Sequence, residues 1–196
     1  MAQNFLDLAL TPAVLAAQEH AYGRAAVPGQ PGDRDALGPE EVAFVTARDS
    51  FYMATVSETG WPYVQHRGGP PGFVKVLGPN EIAFADLRGN RQLISTGNLA
   101  GNDRVALILV DYPRRARLKI LGHARAVDRG VDPELDARFD VDRPGGRVER
   151  ILRIDVVAFD WNCPQNITPR WTKSEVEAVV APLRARIAEL EGLSRG

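Results

Sequence analysis

FYMATVSETGWPYVQH, residues 51–66, sets the period of the chain. Two runs rich in aromatic and β-branched residues flank Glu58-Thr59-Gly60, a pattern that predicts a β-hairpin. A second pair follows at once: FVKVL (73–77), a GPN turn and EIAFA (81–85). Strand patterns recur at RVALILVDY (104–112), at ARLKILGHARAV (116–127) and, past a short helix near PELDARF (133–139), at VERILRIDVVAFDW (148–161). The count is six or seven strands. Most strand pairs lack the intervening helix that a parallel crossover needs, so the order is mostly antiparallel. Their number and spacing predict a closed or nearly closed β-barrel with helices attached.

Helices are expected around this β-rich middle. Thr11-Pro12 followed by AVLAAQEHAY and Gly23 carries an N-cap, a first-turn proline and a C-terminal glycine. The stretch RAAVPGQPGDRDALGP (24–39) reads as an irregular arm, and PEEVAFVTAR (39–48) as a helix with Glu40 and Glu41 in its first turn. Thr172-Lys173-Ser174-Glu175 has capping-box spacing. Val176, Val179, Val180, Leu183, Ile187 and Leu190 then recur on one helical face, which predicts a terminal helix docked on the body, bent or divided at Pro182. The expectation is one domain over residues 1–196, with a helical arm at 1–38 and an arm plus helix at 160–196.

Composition narrows the function classes. A formal charge of −1 gives no overall attraction to nucleic acid or to an anionic membrane, so any anion site must be local. The single cysteine, Cys163, excludes an internal disulfide, and we read it as a packing residue. Three separated histidines without HExxH spacing argue against a zinc site. The N-terminus lacks a basic region and carries Asp7 in its apolar part, and no apolar run is long enough to span a bilayer. A cytoplasmic location is expected.

The stretch RGNRQLISTGN (88–98) lies between two strands and is richer in polar groups than a turn requires. Arg88 and Arg91 flank Gly89-Asn90, Ser95 and Thr96 offer hydroxyls, and a helix beginning near Asn90 or Arg91 would aim N–H groups at an anion. A phosphomonoester, with about two negative charges and three acceptor oxygens, needs such a set. In the strand ARLKILG, alternation puts Arg115, Arg117 and Lys119 on one face and Leu118 and Ile120 on the other. The competing reading of both segments is a solvated cationic surface. HRGGPPGF (66–73) supplies glycines that allow close backbone approach to a flat ligand, and Lys75 falls on a partly buried strand face. DWNCPQNITPRW (160–171) adds aromatic surface and Arg170. Neither a dinucleotide fingerprint nor a Walker lysine is present.

Taken in order, the two hairpins, GWPYVQHRGG with FVKVL, the link FADLRGNRQLISTGNLAGNDRVALILV, the strand RRARLKILGHARAV and the tail DWNCPQNITPRW resemble the flavin-binding split-barrel proteins related to pyridoxine 5'-phosphate oxidase, over roughly residues 40–172. That resemblance implies a mainly β fold, a six-stranded antiparallel Greek-key split barrel with peripheral helices. It implies a homodimer with FMN at the subunit interface; the slightly acidic charge, the clustered basic residues and the short apolar runs separately argue against a nucleic-acid or membrane partner. By position, Arg67 and Lys75 would border the flavin, and Arg91, Ser95 and Thr96 would meet its phosphate. Asn90 and Asn98 would belong to the same cofactor-binding set, Arg117 and Lys119 would supply charge, and Trp161 and Arg170 would close the site. The Arg-x-His element with which the oxidase holds its substrate phosphate is missing from WNCPQNITPRW, which disfavours vitamin B6 phosphate oxidation. Two readings follow: an FMN-dependent oxidoreductase of a small molecule, or a flavin-binding module for storage or sensing. Haem or a deazaflavin could occupy such a barrel, but neither His66 nor His123 carries a supporting motif for iron.

Overall fold

The computed structural model describes residues 3–30, 32–89, 91–139, 142–143, 146–162 and 164–193. The helices are α1 (Gln3–Ala9), α2 (Pro12–Tyr22), α3 (Pro39–Thr46), α4 (Ile94–Gly101), α5 (Pro133–Ala137) and α6 (Lys173–Leu193). The strands are β1 (Ser50–Val56), β2 (Pro62–Gly68), β3 (Val74–Gly78), β4 (Glu81–Leu87), β5 (Arg104–Asp111), β6 (Ala116–Asp128), the two-residue β7 (Asp142–Arg143) and β8 (Gly146–Asn162). Both predicted hairpins form: β1 pairs antiparallel with β2 from Ser50↔Gly68 to Val56↔Pro62, and β3 pairs with β4. The sequence also holds α1, which the reading of its pattern did not anticipate.

The sheet follows the order β2-β1-β5-β6-β8-β4-β3, with β7 on β8, and every pairing is antiparallel. The path has seven strands where six were implied, and it is open, with β2 and β3 at its two ends. It nevertheless curls. Phe51 and Met53 of β1, Leu107 and Leu109 of β5, Leu118 and Ile120 of β6, Leu152 and Ile154 of β8 and Ile82 and Phe84 of β4 meet in one buried cluster, which a flat sheet could not gather. Val45 of α3 and Leu99 of α4 complete it. On the opposite face of β4 and β8 a smaller cluster joins Ala83, Ala85, Val148 and Ile151 to Leu135 and Phe139 of the α5 region. β4 is therefore buried on both faces.

The helix-end chemistry forms as the sequence predicts. The Thr11 side chain accepts the Val14 N–H at 3.4 Å, and Gly23 closes α2 in the left-handed region at φ 66°. The Gly38 N–H reaches the Glu41 carboxylate at 2.9 Å at the start of α3. At α6, Thr172 donates its backbone N–H and its hydroxyl to Glu175 at 2.7 and 2.8 Å, which holds that carboxyl below its usual range. Of the two effects expected of Pro182, division does not occur: α6 is one helix through it. It also fails to dock: Val176, Val179, Leu183, Ile187 and Leu190 are 48–66% exposed. An apolar stripe in sequence specifies that a face will be covered, and leaves open by what.

β6 and β8 form the longest pairing, and its register shifts between Leu121 and Gly122. A Cβ on Gly122 would lie 2.6 Å from the Asp155 carbonyl oxygen and 2.9 Å from Ile154 Cγ2. Backbone occupies that space, so relief requires moving β8. Gly122→Ala should lower stability by about 1–3 kcal/mol. Gly78→Ala, where a Cβ meets nothing within 4 Å, should change it by under about 0.5 kcal/mol. Paired denaturant titrations check both, and equal midpoints for the two variants would contradict the packing argument.

Candidate functional site

Between the two ends of the sheet lies a hollow built from β2, the β4–α4 link, the start of α4 and β8. Alternation along β2 turns Tyr63, Gln65 and Arg67 toward it. The Asp86 carboxylate, only 9% exposed, stands at its floor between two guanidiniums: Arg67 Nη1 at 2.6 Å and Arg150 Nη1 at 2.8 Å. Each arginine side chain is 13% exposed. Burial opposes the Arg150 charge, and the hydrogen bond and charge of Asp86 outweigh it, so Arg150 titrates above the ordinary arginine value. Arg67 also lies over the Phe84 ring, 5.5 Å from its centroid, while its Nε is buried and has no hydrogen-bond partner among the described residues.

α4 closes the hollow from above. Its buried Ser95 donates its hydroxyl to Gln65 Oε1 at 2.9 Å, and its buried Asn98 donates Nδ2–H to Thr55 Oγ1 at 2.9 Å. These two bonds fix the helix to β2 and β1. The approach to the helix is unusual, because Arg91 and Leu93 both take positive φ, 63° and 52°, without being glycine. α4 consequently begins at Ile94, later than the expected start near Asn90 or Arg91, and Asn90 itself lies outside the described residues. Leu93, at the N-cap of α4, offers no capping side chain, and among the described residues no hydrogen bond satisfies the first-turn N–H groups, which can meet an incoming acceptor. Arg91 is exposed beside them and has no partner among the described residues. Thr96, half-buried, adds a hydroxyl on the same rim.

The hollow therefore offers the donors an anion needs. Arg67, Arg91 and Arg150 line it against Asp86 and Glu149, and Arg88 stands 3.8 Å from Glu149 outside it. Positive charge is in surplus, backbone N–H groups point from a helix start, and one arginine N–H is buried and unspent. Asp86, Gln65, Tyr63, Thr55 and Arg150 were not among the residues singled out from sequence. The available signal was Asp86, a lone acid at the end of the apolar run EIAFA, two residues before Arg88.

Of the residues expected at a cofactor site, the chain gathers Arg67, Arg91, Ser95 and Thr96 around this hollow, while Asn98 is buried behind it and bonds Thr55. The others stand elsewhere. Lys75 lies over the Phe139 ring on the α5 side, with Nζ 5.7 Å from the centroid. Lys119 pairs with Asp160 at 2.8 Å and lies over Phe5 of α1, on the outer face of β6. Arg117 leads the same face, with its Nε buried and unpartnered. Trp161 donates Nε1–H to Glu41 at 2.7 Å and packs edge-on against Phe44. Arg170 covers the Tyr112 ring beside Arg48, Asp111 and Trp171. The glycine loop turns back on its own chain: the Gly69 N–H bonds the Asp49 carbonyl at 2.9 Å and the Gly72 N–H bonds the Thr46 carbonyl at 2.7 Å. His66 projects from β2 on the face away from the hollow and meets Tyr52. Cys163 lies outside the described residues.

Removing the shared carboxylate of a buried ion-pair network strands its closest partner. Asp86→Ala should cost about 3–5 kcal/mol of stability, because buried Arg67 would lose its carboxylate and Arg150 would keep only Asp128 and Glu149, each at 3.6 Å. Urea unfolding of the variant checks this, and a loss under about 1 kcal/mol, the range of exposed pairs, would show that the clamp is slack.

The geometry can be set beside known proteins. The family model described as pyridoxamine 5'-phosphate oxidase matches residues 37–158, which contain β1 to β6, most of β8 and the whole hollow. No curated protein matches the sequence. Among solved structures, HupZ of Group A Streptococcus is similar at 15% identity and TM-score 0.53, covering 69% of this chain and 100% of that one. A variant of HupZ aligns at 15% identity and TM-score 0.52, over 64% of this chain and 98% of that one. A protein of Lactobacillus delbrueckii described as a putative pyridoxamine 5'-phosphate oxidase aligns at 19% identity and TM-score 0.49, over 64% and 94% of the two chains. At these identities the HupZ likeness speaks for the fold: a mainly antiparallel split barrel with peripheral helices. The family model covers more than half of the sequence, and the chain belongs to the pyridoxamine 5'-phosphate oxidase family.

Proposed function

We propose that this protein binds FMN, with the phosphate seated in the hollow at the start of α4, and that it acts as a homodimeric flavin-dependent oxidoreductase on a small molecule. The observation that carries the reading is the uncapped first turn of α4, with Arg91 beside it and the unspent Arg67 Nε below. A dianionic phosphate monoester matches that donor set and that surplus of positive charge. The first-turn N–H groups of α4, the Arg91 guanidinium and the Thr96 hydroxyl would hold the phosphate. Arg67 would border the flavin ring. When bound, the flavin supplies the hydride or electron transfer, and the protein supplies binding and orientation.

Pairing of subunits is supported by the outer face of the sheet. In register, Val64, Ala54, Ala106 and Leu121 form one row across β2, β1, β5 and β6, and His66, Tyr52, Ile108 and Lys119 form the next. Val64 is 60% and Tyr52 42% exposed, so these rows present apolar surface to solvent in a single chain. A second subunit on this face would cover it. The same arrangement would let Lys75, Arg117, Lys119, Trp161 and Arg170, which stand apart from the hollow in one chain, contribute to the site of the other. One domain with terminal arms at 1–38 and 160–196, in the cytoplasm, is the accompanying reading; no described helix is long and apolar enough to cross a membrane.

The purified protein should show flavin absorbance and release FMN on heating, or take up added FMN with a spectral shift. Arg91→Ala should weaken FMN binding about tenfold or more, the loss expected for a charge-assisted hydrogen bond, and leave riboflavin binding unchanged. Equal losses for both ligands would place the phosphate elsewhere. Anaerobic addition of NADH or NADPH then tests turnover: bleaching of the bound flavin within seconds is expected of an oxidoreductase, and a flavin that stays oxidised favours storage or sensing.

A further inference from the structure

α6 lies beyond the segment matched to the family, and apart from half-buried Val180 the structure leaves its apolar face open. Val176, Val180, Leu183, Ile187 and Leu190 follow one another at spacings of four, three, four and three residues, the period of a coiled coil. In that register Val180 and Ile187 occupy a positions, and Val176, Leu183 and Leu190 occupy d positions. β-branched residues at a with leucine at d favour two parallel strands.

We infer that α6 pairs with α6 of a second copy of this chain as a parallel two-stranded coiled coil. Charge decides the direction. Arg186 falls at g and Glu191 at the following e, so in a parallel pair Arg186 faces Glu191 of the partner subunit on both sides. The antiparallel register that keeps Val180 opposite Leu190 and Leu183 opposite Ile187 sets Arg184 and Arg186 against their own copies and Glu177 against Glu191. Sliding that register by a heptad sets Leu190 against Lys173. Within one chain Arg186 bonds Glu189 at 2.6 Å and Arg184 bonds Glu177 at 3.0 Å. Both are exposed pairs of small worth, free to exchange partners. A lipid surface is the poorer occupant, because Lys173, Arg184 and Arg186 are outnumbered on this helix by Glu175, Glu177, Glu189 and Glu191.

α6 spans 21 residues, three heptads, which is short for an isolated coiled coil. The inference therefore rests on the subunit pairing proposed above: once two chains are joined at the sheet face, the helices meet at high effective concentration. Residues 173–193 then act as a second clasp, and they would keep the arm at 160–172 ordered as it leaves the barrel.

Thiol cross-linking of the full chain tests this. In a Cys163→Ala background, Leu190→Cys places a thiol at a d position and Ala185→Cys places one at f, on the outer face. Light scattering of the same samples reports whether the chains pair at all. Mild oxidation should give a disulfide-linked dimer with Leu190→Cys in several-fold higher yield than with Ala185→Cys. Adding Arg186→Glu should lower that yield, and adding Glu191→Arg to it should restore it. A dimer by light scattering in which both thiols cross-link equally, or neither does, would overturn the coiled coil and leave the sheet-face pairing standing. A monomer would overturn both.

Discussion

The structure turns on one carboxylate. Asp86, on β4, is clamped between Arg67 of β2 and Arg150 of β8, and Arg67 crosses the gap that backbone pairing leaves between the two ends of the sheet. Without it, β2 would keep its pairing with β1 and the Ser95–Gln65 bond to α4, and would lose its tie to β4 across the gap. The clamp is also why the gap is polar. Hydrophobic closure would have filled the hollow with side chains, whereas an ion pair sets its floor and leaves donors facing upward.

The lid of the hollow depends on the same logic of buried polar bonds. Ser95 and Asn98 anchor α4 through Gln65 and Thr55, so their side chains serve mainly to position the helix. What remains for a ligand is the part of α4 to which no described side chain is bonded: its first-turn N–H groups, flanked by Arg91 and Thr96. Two non-glycine residues in the left-handed region, Arg91 and Leu93, make the sharp entry that starts the helix at this point. Such conformations cost about 1–3 kcal/mol each and tend to persist where a ligand makes use of them.

Much of this was legible in the sequence, for stated reasons. Period-two alternation and short turn signals are local, so the hairpins 51–68 and 74–87 and the caps of α2 and α3 emerge where the residues predict them. The polar content of RGNRQLISTGN located the hollow, and Arg67, Arg91, Ser95 and Thr96 converge on it. What stayed hidden is non-local or sterically unusual. The Arg67–Asp86 bridge joins residues on strands that never pair. Left-handed arginine and leucine have no sequence signature of the kind glycine gives. Arg170 and Trp161 are close to the barrel in sequence, yet Tyr112 and Glu41 hold them on another side of it. For α6 the stripe announced a covered face, and its heptad spacing, more specific than amphipathicity alone, was the available sign that the cover is a second helix.

The proposed function requires a phosphate monoester at the start of α4. A crystal structure of the protein grown with FMN tests it most directly. The phosphate is expected within hydrogen-bond distance of the N–H groups at residues 94–96 and of the Arg91 guanidinium, above the Asp86 clamp. A flavin whose phosphate lay in the hollow beside Arg48 and Arg170, with the α4 N-terminus still free, would contradict it.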